Sequence, residues 1–206
     1  MTDAQAKKWS AAVMTIAVVL VTAWLGWSLG PDIKDERLDL DRAVGGPFEL
    51  INGKGETVRA ADFRGRFMLV FFGYTYCPDV CPMTLMEITQ AMEELEQKAP
   101  NVSMQLTPVF ISVDPERDTP KRLSRYLEAF HPSVVGLTGP RDEIRRTATA
   151  YAVAFEKGEE QGSEDYLIDH TSNILLMGPD GSYITHFSPR TPAAMIAEVL
   201  KRAISG

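Results

Sequence analysis

Two uninterrupted apolar runs constrain the fold of this chain more than any other feature. Residues 67–72 read FMLVFF and residues 108–113 read PVFISV. Neither run alternates regularly between polar and apolar side chains, which is typical of strands that are buried on both faces. Such strands need helices above and below the sheet. The sequence therefore predicts a three-layer α/β domain.

Helix signals follow each of these two strands. Apolar residues at helical spacing predict a helix over 82–98. Thr119 and Pro120 supply an N-cap and a first-turn proline for a helix that runs to about residue 130. The remaining predicted elements are a strand at 134–137, a helix at 140–151, extended segments at 153–155 and 166–168, a hairpin of 173–177 with 182–187, and a helix at 191–204. A parallel half followed by an antiparallel half is the thioredoxin-like arrangement.

The N-terminal part of the chain predicts one transmembrane helix. Residues 11–29 are nineteen residues without a formal charge, and at about 1.5 Å per residue they just span a hydrocarbon core of roughly 30 Å. Lys7 and Lys8 precede this segment, so the positive-inside rule places the N-terminus in the cytoplasm. The predicted organisation is a cytoplasmic N-terminus at 1–10, an anchor at 11–29, a tether at 30–44 and a globular domain at 45–206.

The alternative for the apolar segment is a cleaved signal peptide. The segment is long for that purpose, and no small-x-small cleavage site precedes Gly30 and Pro31. The first nine residues contain Asp3 and lack arginine, unlike a transit peptide. We therefore expect a single-pass protein of the bacterial inner membrane with its domain on the periplasmic side. The net charge of −7 argues against a nucleic-acid partner.

Cys77 and Cys81 are the only cysteines, and they lie where a buried strand ends and a helix begins. Unpaired backbone N–H groups and the helix dipole at such a junction favour thiolates, which bind metals or attack disulfides. A structural disulfide is the alternative, but a bridge that closes so short a loop constrains the unfolded chain little. Three residues separate the two cysteines where a thioredoxin-type dithiol has two, which weakens a plain oxidoreductase function without excluding it.

Three histidines are available as a third ligand: His131, His170 and His186. Helix termination accounts for His131, and His186 alternates with Ile184 along a hairpin strand. His170 precedes the strand expected beside the cysteines, and Asp169 is a candidate to orient its ring. Position alone leaves open whether His170 is a ligand.

Two thiolates and an imidazole suit Cu(I), and Cu(II) is accommodated by an added oxygen or water. A structural zinc site would want four protein ligands. The residues therefore place copper ahead of zinc without deciding between them.

Five segments in a fixed order then resemble a known family. They read FGYTYCPDVCP, ISVDPERDTP, GLTG, DYLIDHTS and LMGPDG, and the resemblance covers nearly the whole globular part, about residues 45–203. In this combination the chain resembles the Sco/SenC family. The resemblance implies a thioredoxin-fold copper metallochaperone that is anchored by one N-terminal helix and helps to assemble the binuclear copper centre of cytochrome c oxidase. It assigns Cys77, Cys81 and His170 as the copper ligands.

The resemblance also implies partners and leaves a second function open. The expected partners are copper, the copper-bearing subunit of the oxidase, and other copper chaperones or thioredoxin-like reductants. A metallochaperone hands over copper without catalytic turnover. The alternative function is that of a thiol–disulfide reductase, which would use Cys77 and Cys81 to keep the oxidase's copper-ligand cysteines reduced. The acidic residues Asp114 and Asp118 are interpreted as parts of a local turn and a helix start. Met92 and Met177 are expected to fill the core.

Overall fold

A computed structural model describes residues 20–22, 24, 44–158 and 166–205 of the chain. It divides the chain into two units, Met1–Asp39 and Leu40–Gly206. In the first unit the described residues Leu20, Val21, Thr22 and Trp24 are helical. Almost all of the predicted segments 1–10, 11–29 and 30–44 lies outside the described residues. None of the helices in the described part of the chain has the length and apolar character of a membrane span.

The second unit contains the globular domain. Its strands, in chain order, are β1 (Glu49–Asn52), β2 (Thr57–Arg59), β3 (Phe67–Gly73), β4 (Leu106–Ser112), β5 (Val135–Thr138), β6 (Phe155–Lys157), β7 (Ile168–His170), β8 (Ile174–Met177) and β9 (Tyr183–Phe187). Its helices are α1 (Val80–Lys98), α2 (Pro100–Ser103), α3 (Pro120–Leu127), α4 (Arg141–Ala150) and α5 (Ala193–Ser205), with a 3₁₀ turn at Ala60–Phe63.

Seven of these strands form one mixed sheet in the order β2-β1-β5-β4-β3-β8-β9. The central strands β3, β4 and β5 are parallel, and β8 and β9 add to β3 as an antiparallel hairpin. This arrangement confirms the thioredoxin-like α/β fold. The strands β6 and β7 form a separate two-stranded sheet in which Phe155 pairs with His170. The position of β7 therefore has to be set by contacts other than the main sheet.

The two parallel strands that the apolar runs predicted form the centre of the core. Phe71, Phe72 and Phe110 are fully buried there. Helix α1 packs beside α5, and the carboxylate of Glu87 accepts a hydrogen bond of 2.6 Å from the backbone N–H of Ala193 at the start of α5. This contact satisfies one of the unpaired donors at the helix start.

Two details differ from the sequence-based expectations. The hairpin β1–β2 was not predicted, because both strands are short and only Leu50 among their seven residues is buried. The extended segments expected at 153–155 and 166–168 begin two residues later, as β6 and β7. Val153 instead follows the end of α4, and its N–H bonds the carbonyl of Ala148 in the last turn of that helix at 2.8 Å.

Replacing Phe110 by alanine should lower the free energy of unfolding by about 3–5 kcal/mol, because the ring is fully buried between Phe71 and Tyr126 and leaves a cavity. Urea unfolding followed by circular dichroism measures this loss. Met104→Ala is the matched control, since that side chain is 65% exposed, and it should change the stability by less than about 0.5 kcal/mol. Equal losses for both variants would contradict this description of the core.

Candidate metal centre

The two cysteines lie at the junction between β3 and α1, as the sequence predicted. The cysteine loop, residues 74–79, joins these elements, and the N–H of Cys77 bonds the carbonyl of Tyr74 at 3.3 Å. Cys81 is buried in the first turn of α1, and its N–H points at the sulfur of Cys77 at 3.4 Å. Both are free thiols, and Cys77 is half-buried. Both sulfurs are thus available to bind a metal or to react with a disulfide.

His170 is the last residue of β7 and faces this pair. Its Nε2 lies 3.5 Å from Sγ of Cys81. Its Nδ1 lies 3.1 Å from the carbonyl oxygen of Thr171, so the expectation that Asp169 orients the ring was wrong: Asp169 is exposed, because alternate residues of a strand point to opposite sides. When Nε2 binds a metal, Nδ1 would carry the ring proton and donate it to this carbonyl.

The structure brings the three predicted ligands together. The sulfurs of Cys77 and Cys81 and a ring nitrogen of His170 all lie within 4.8 Å of one another. Metal–ligand bonds of about 2.0–2.3 Å place two ligands of one ion up to about 4.6 Å apart, so only a small contraction is needed. Within residues 44–158 and 166–205 this is the one cluster of at least three Cys, His, Asp or Glu ligand atoms. Two soft sulfurs and one imidazole are a donor set for Cu(I).

One proton is shared between the two thiols. The hydrogen bond from Cys81 lowers the pKa of Cys77 well below its ordinary range, and His170 and the nearby backbone N–H groups of Asp79 and Cys81 act in the same direction. The same hydrogen bond and burial raise the pKa of Cys81. Cys77 is therefore the thiolate at neutral pH, and Cys81 is the thiol that stabilises it.

Side-chain hydrogen bonds hold β7 against the cysteine loop. The N–H of Ile168 donates to the hydroxyl of Tyr74 at 3.2 Å. The hydroxyl of Tyr166 donates to Oδ1 of Asp114 at 2.7 Å, and Arg117 pairs with the other oxygen of this carboxylate. The guanidinium of Arg117 also lies 3.6 Å from the centre of the Tyr166 ring. The position of His170 thus depends on Tyr166, which precedes β7, and on Tyr74 of the cysteine loop.

Asp118 holds the cysteine loop in place. Its fully buried carboxylate accepts hydrogen bonds from the N–H of Thr75 at 2.9 Å, from the hydroxyl of Thr75, and from the hydroxyl of Ser112 at 2.6 Å. Burial raises the pKa of Asp118, which these hydrogen bonds partly oppose. The local interpretation of Asp114 and Asp118 was therefore incomplete. The expected turn is present, with the N–H of Asp118 bonded to the carbonyl of Asp114 at 2.9 Å, but both carboxylates also make long-range contacts. The helix is capped by Thr119, which accepts from the N–H of Arg122 at 3.3 Å.

Gly73 is a further residue of the site that the sequence analysis missed. A Cβ at this position would lie 2.8 Å from Sγ of Cys81 and 2.8 Å from the ring of Phe110. Only glycine lets the end of β3 pass so close to the sulfur. A glycine between an apolar strand and the first cysteine could have indicated a close approach of the backbone to the site.

The remaining histidines and the two methionines have other roles. His131 bonds Thr89 through its N–H and pairs its ring with Glu96, and the ring of His186 contacts the hydroxyl of Tyr183. Neither histidine belongs to the cluster of ligand atoms. Met92 and Met177 are buried in the core, as expected.

Comparisons with known proteins identify the family of this chain. The family model described as SCO1/SenC matches residues 36–205. The chain belongs to the SCO1/SenC family. The sequence analysis identified the same family from the five segments. The match covers all the residues of the candidate metal centre.

Three family members illustrate how similar the relatives are. The mitochondrial SCO1 homolog of Homo sapiens is 39% identical over 171 residues, which is 80% of this chain and 56% of that protein. The chain thus spans a little over half the length of this relative. The structure of Arabidopsis thaliana ScoI with copper bound has a TM-score of 0.73 at 35% identity and covers 80% of this chain and all of that one. The structure of Bradyrhizobium japonicum ScoI with copper bound has a TM-score of 0.70 at 39% identity, with 78% and 99% covered.

Tyr166→Phe should destabilise the domain by about 1–3 kcal/mol, because it leaves the buried carboxylate of Asp114 without its hydroxyl donor. Hydrogen exchange at the N–H of Ile168 should also become faster, since β7 loses one of its two tyrosine contacts. Mass spectrometry of exchanged peptides and urea unfolding measure both effects.

The matched control is Tyr126→Phe. The hydroxyl of Tyr126 is buried and has no hydrogen-bond partner among the described residues, so its removal should cost less than about 0.5 kcal/mol and leave exchange in β7 unchanged. If both tyrosine variants behave alike, the Tyr166–Asp114 contact does not hold β7.

Proposed function

We propose that this chain is a membrane-anchored copper metallochaperone that binds copper through Cys77, Cys81 and His170. We further propose that it delivers copper to the binuclear copper centre of cytochrome c oxidase. The observation that supports this most is the convergence of two sulfurs and one imidazole nitrogen within 4.8 Å. The family adds support, because the ScoI structures of A. thaliana and B. japonicum hold copper.

The protonation states of the three residues favour capture of a soft cation. Cys77 is already a thiolate, so Cys81 alone has to lose a proton when the metal binds. His170 would supply a ring nitrogen as the third ligand, since its Nε2 lies 3.5 Å from Sγ of Cys81. Because Cu(I) accepts three ligands, these residues suffice, while Cu(II) would take an added oxygen or water.

The exposure of the ligands favours release to a partner. Cys81 is buried, but Cys77 and His170 are only half-buried. An incoming ligand from the acceptor can therefore approach the metal from the side of Cys77 and His170 and replace these two in turn. Copper then leaves by ligand exchange, and the chain is ready to bind again.

The proposed location follows from the apolar residues 11–29 and from Lys7 and Lys8 before them. One helix at 11–29 would anchor the chain in the bacterial inner membrane, with residues 30–44 as a tether. The metal centre would then face the periplasm, on the same side as the copper-bearing part of the oxidase.

The full chain, reduced and kept free of oxygen, should bind one Cu(I) in competition with a chromophoric Cu(I) chelator. His170→Ala should weaken this binding at least about tenfold, because a ligand is lost. His186→Ala is the matched control, since His186 lies outside the cluster of ligand atoms, and its affinity should equal that of the wild type. Equal affinities for all three proteins would overturn the three-ligand site.

A second candidate function is thiol–disulfide reduction, which the lowered pKa of the half-buried Cys77 favours. Its thiolate would attack one sulfur of a partner disulfide and form a mixed disulfide, releasing one partner thiolate that takes up a proton. Cys81 would then displace the second partner thiol and close a Cys77–Cys81 disulfide. Two electrons pass to the partner, whose two cysteines become reduced and able to bind copper.

Cys81→Ser should trap the mixed disulfide with a disulfide-bonded peptide, because the second thiol is missing. Mass spectrometry detects the adduct. His170→Ala should change the rate of exchange much less than it changes copper affinity. If the reduced wild-type chain leaves the peptide disulfide intact, the reductase function is rejected, and copper binding is unaffected by that result.

A further inference from the structure

Beside the cysteine loop lies a cleft of about 550 Å³ that carries positive charge. We call it the basic cleft, and its lining residues are Thr75, Thr119, Lys121, Arg122, Arg125 and Tyr126. The three cations are exposed on the first two turns of α3. The chain as a whole has a net charge of −7. A local concentration of positive charge on such a protein needs an explanation.

Ion pairs among the described residues do not provide one. Among the described residues, no carboxylate lies within salt-bridge distance of Lys121, Arg122 or Arg125, although eight other Lys and Arg side chains form such pairs. Lys121 and Arg125 are one helical turn apart, where like charges repel each other. Cations near the start of a helix also oppose its dipole, and the first turn of α3 contains no acidic residue. The arrangement therefore costs α3 stability.

The basic cleft is joined to the metal centre by Arg122. Its Nε donates to the hydroxyl of Thr75 at 3.0 Å, and its guanidinium lies 3.9 Å from the centre of the Tyr76 ring. Tyr76 is 42% exposed and directly precedes Cys77. A partner seated in the cleft would thus lie against the same loop that presents the thiolate.

We infer that the basic cleft docks an acidic segment of the protein that exchanges copper with this chain. Carboxylates are the groups that would pair with Lys121, Arg122 and Arg125, which have no carboxylate partner among the described residues. The acidic remainder of the surface would repel such a segment elsewhere. Attraction at one place and repulsion at others orients the partner so that its metal ligands face Cys77. The identity of the exchanged ion rests on the proposed function, whereas the docking itself does not.

A fluorescein-labelled synthetic peptide of glutamate and glycine serves as the probe, with its glutamine and glycine counterpart as the neutral control. Fluorescence anisotropy with the full chain should show binding of the acidic peptide alone, weakened by added salt. Lys121→Glu combined with Arg125→Glu should weaken that binding at least about tenfold. The matched control combines Lys54→Glu with Arg64→Glu, which changes the net charge equally at two exposed positions that form no salt bridge with any other described residue.

Four results would overturn the inference. These are no binding of the acidic peptide, equal binding of the neutral peptide, equal weakening by both double variants, and displacement of the peptide by inorganic phosphate at constant ionic strength. The third would indicate an effect of net charge only, and the fourth a site for small anions.

The copper affinity of the Lys121→Glu, Arg125→Glu variant separates this inference from the proposed function. It should equal that of the wild type, since neither residue is a metal ligand. If the wild type binds the acidic peptide specifically but does not bind copper, the docking surface is supported and copper is rejected as the exchanged ion. A drop in the copper affinity of this variant would contradict the inference that the basic cleft binds a partner without contributing to copper binding.

Discussion

Hydrogen bonds that involve Tyr74 and Tyr166 hold the strand that carries His170, and the candidate metal centre depends on them. This strand, β7, pairs with β6 outside the seven-stranded sheet, so the sheet does not fix its distance from the cysteines. Tyr74 bonds the backbone at Ile168, and Tyr166 bonds the carboxylate of Asp114. A residue 89 positions from Cys81 in sequence is thereby held 3.5 Å from its sulfur.

The acidic segment between β4 and α3 holds both halves of the site in place through hydrogen bonds. Asp118 fixes the cysteine loop through Thr75, and Asp114 fixes the strand of His170 through Tyr166. Buried carboxylates are costly unless they are hydrogen-bonded, and here each accepts several hydrogen bonds. Their desolvation is offset by contacts that place the candidate ligands, so one short segment positions both halves of the candidate metal centre.

Local sequence patterns predicted a large part of this molecule. The apolar runs located β3 and β4, and the end of the first run before a helix pattern located the junction that carries Cys77 and Cys81. The long-range contacts of Asp114 and Asp118 were missed, because a turn and a helix start explain acidic residues locally. The weakly apolar β1 and β2 were missed for lack of a pattern. The approach of His170 depends on tertiary packing, and only family resemblance identified it as a ligand.

The asymmetry of the two thiols fits a protein that both binds and releases a soft ion. Cys81 is buried and Cys77 is half-buried, and one proton between them keeps the outer sulfur ionised. Copper K-edge X-ray absorption of the loaded full chain tests the central claim most directly, because it counts the atoms bound to the metal. We expect two sulfurs and one imidazole nitrogen. A spectrum with sulfur ligands alone, or with fewer than two sulfurs, would contradict the account.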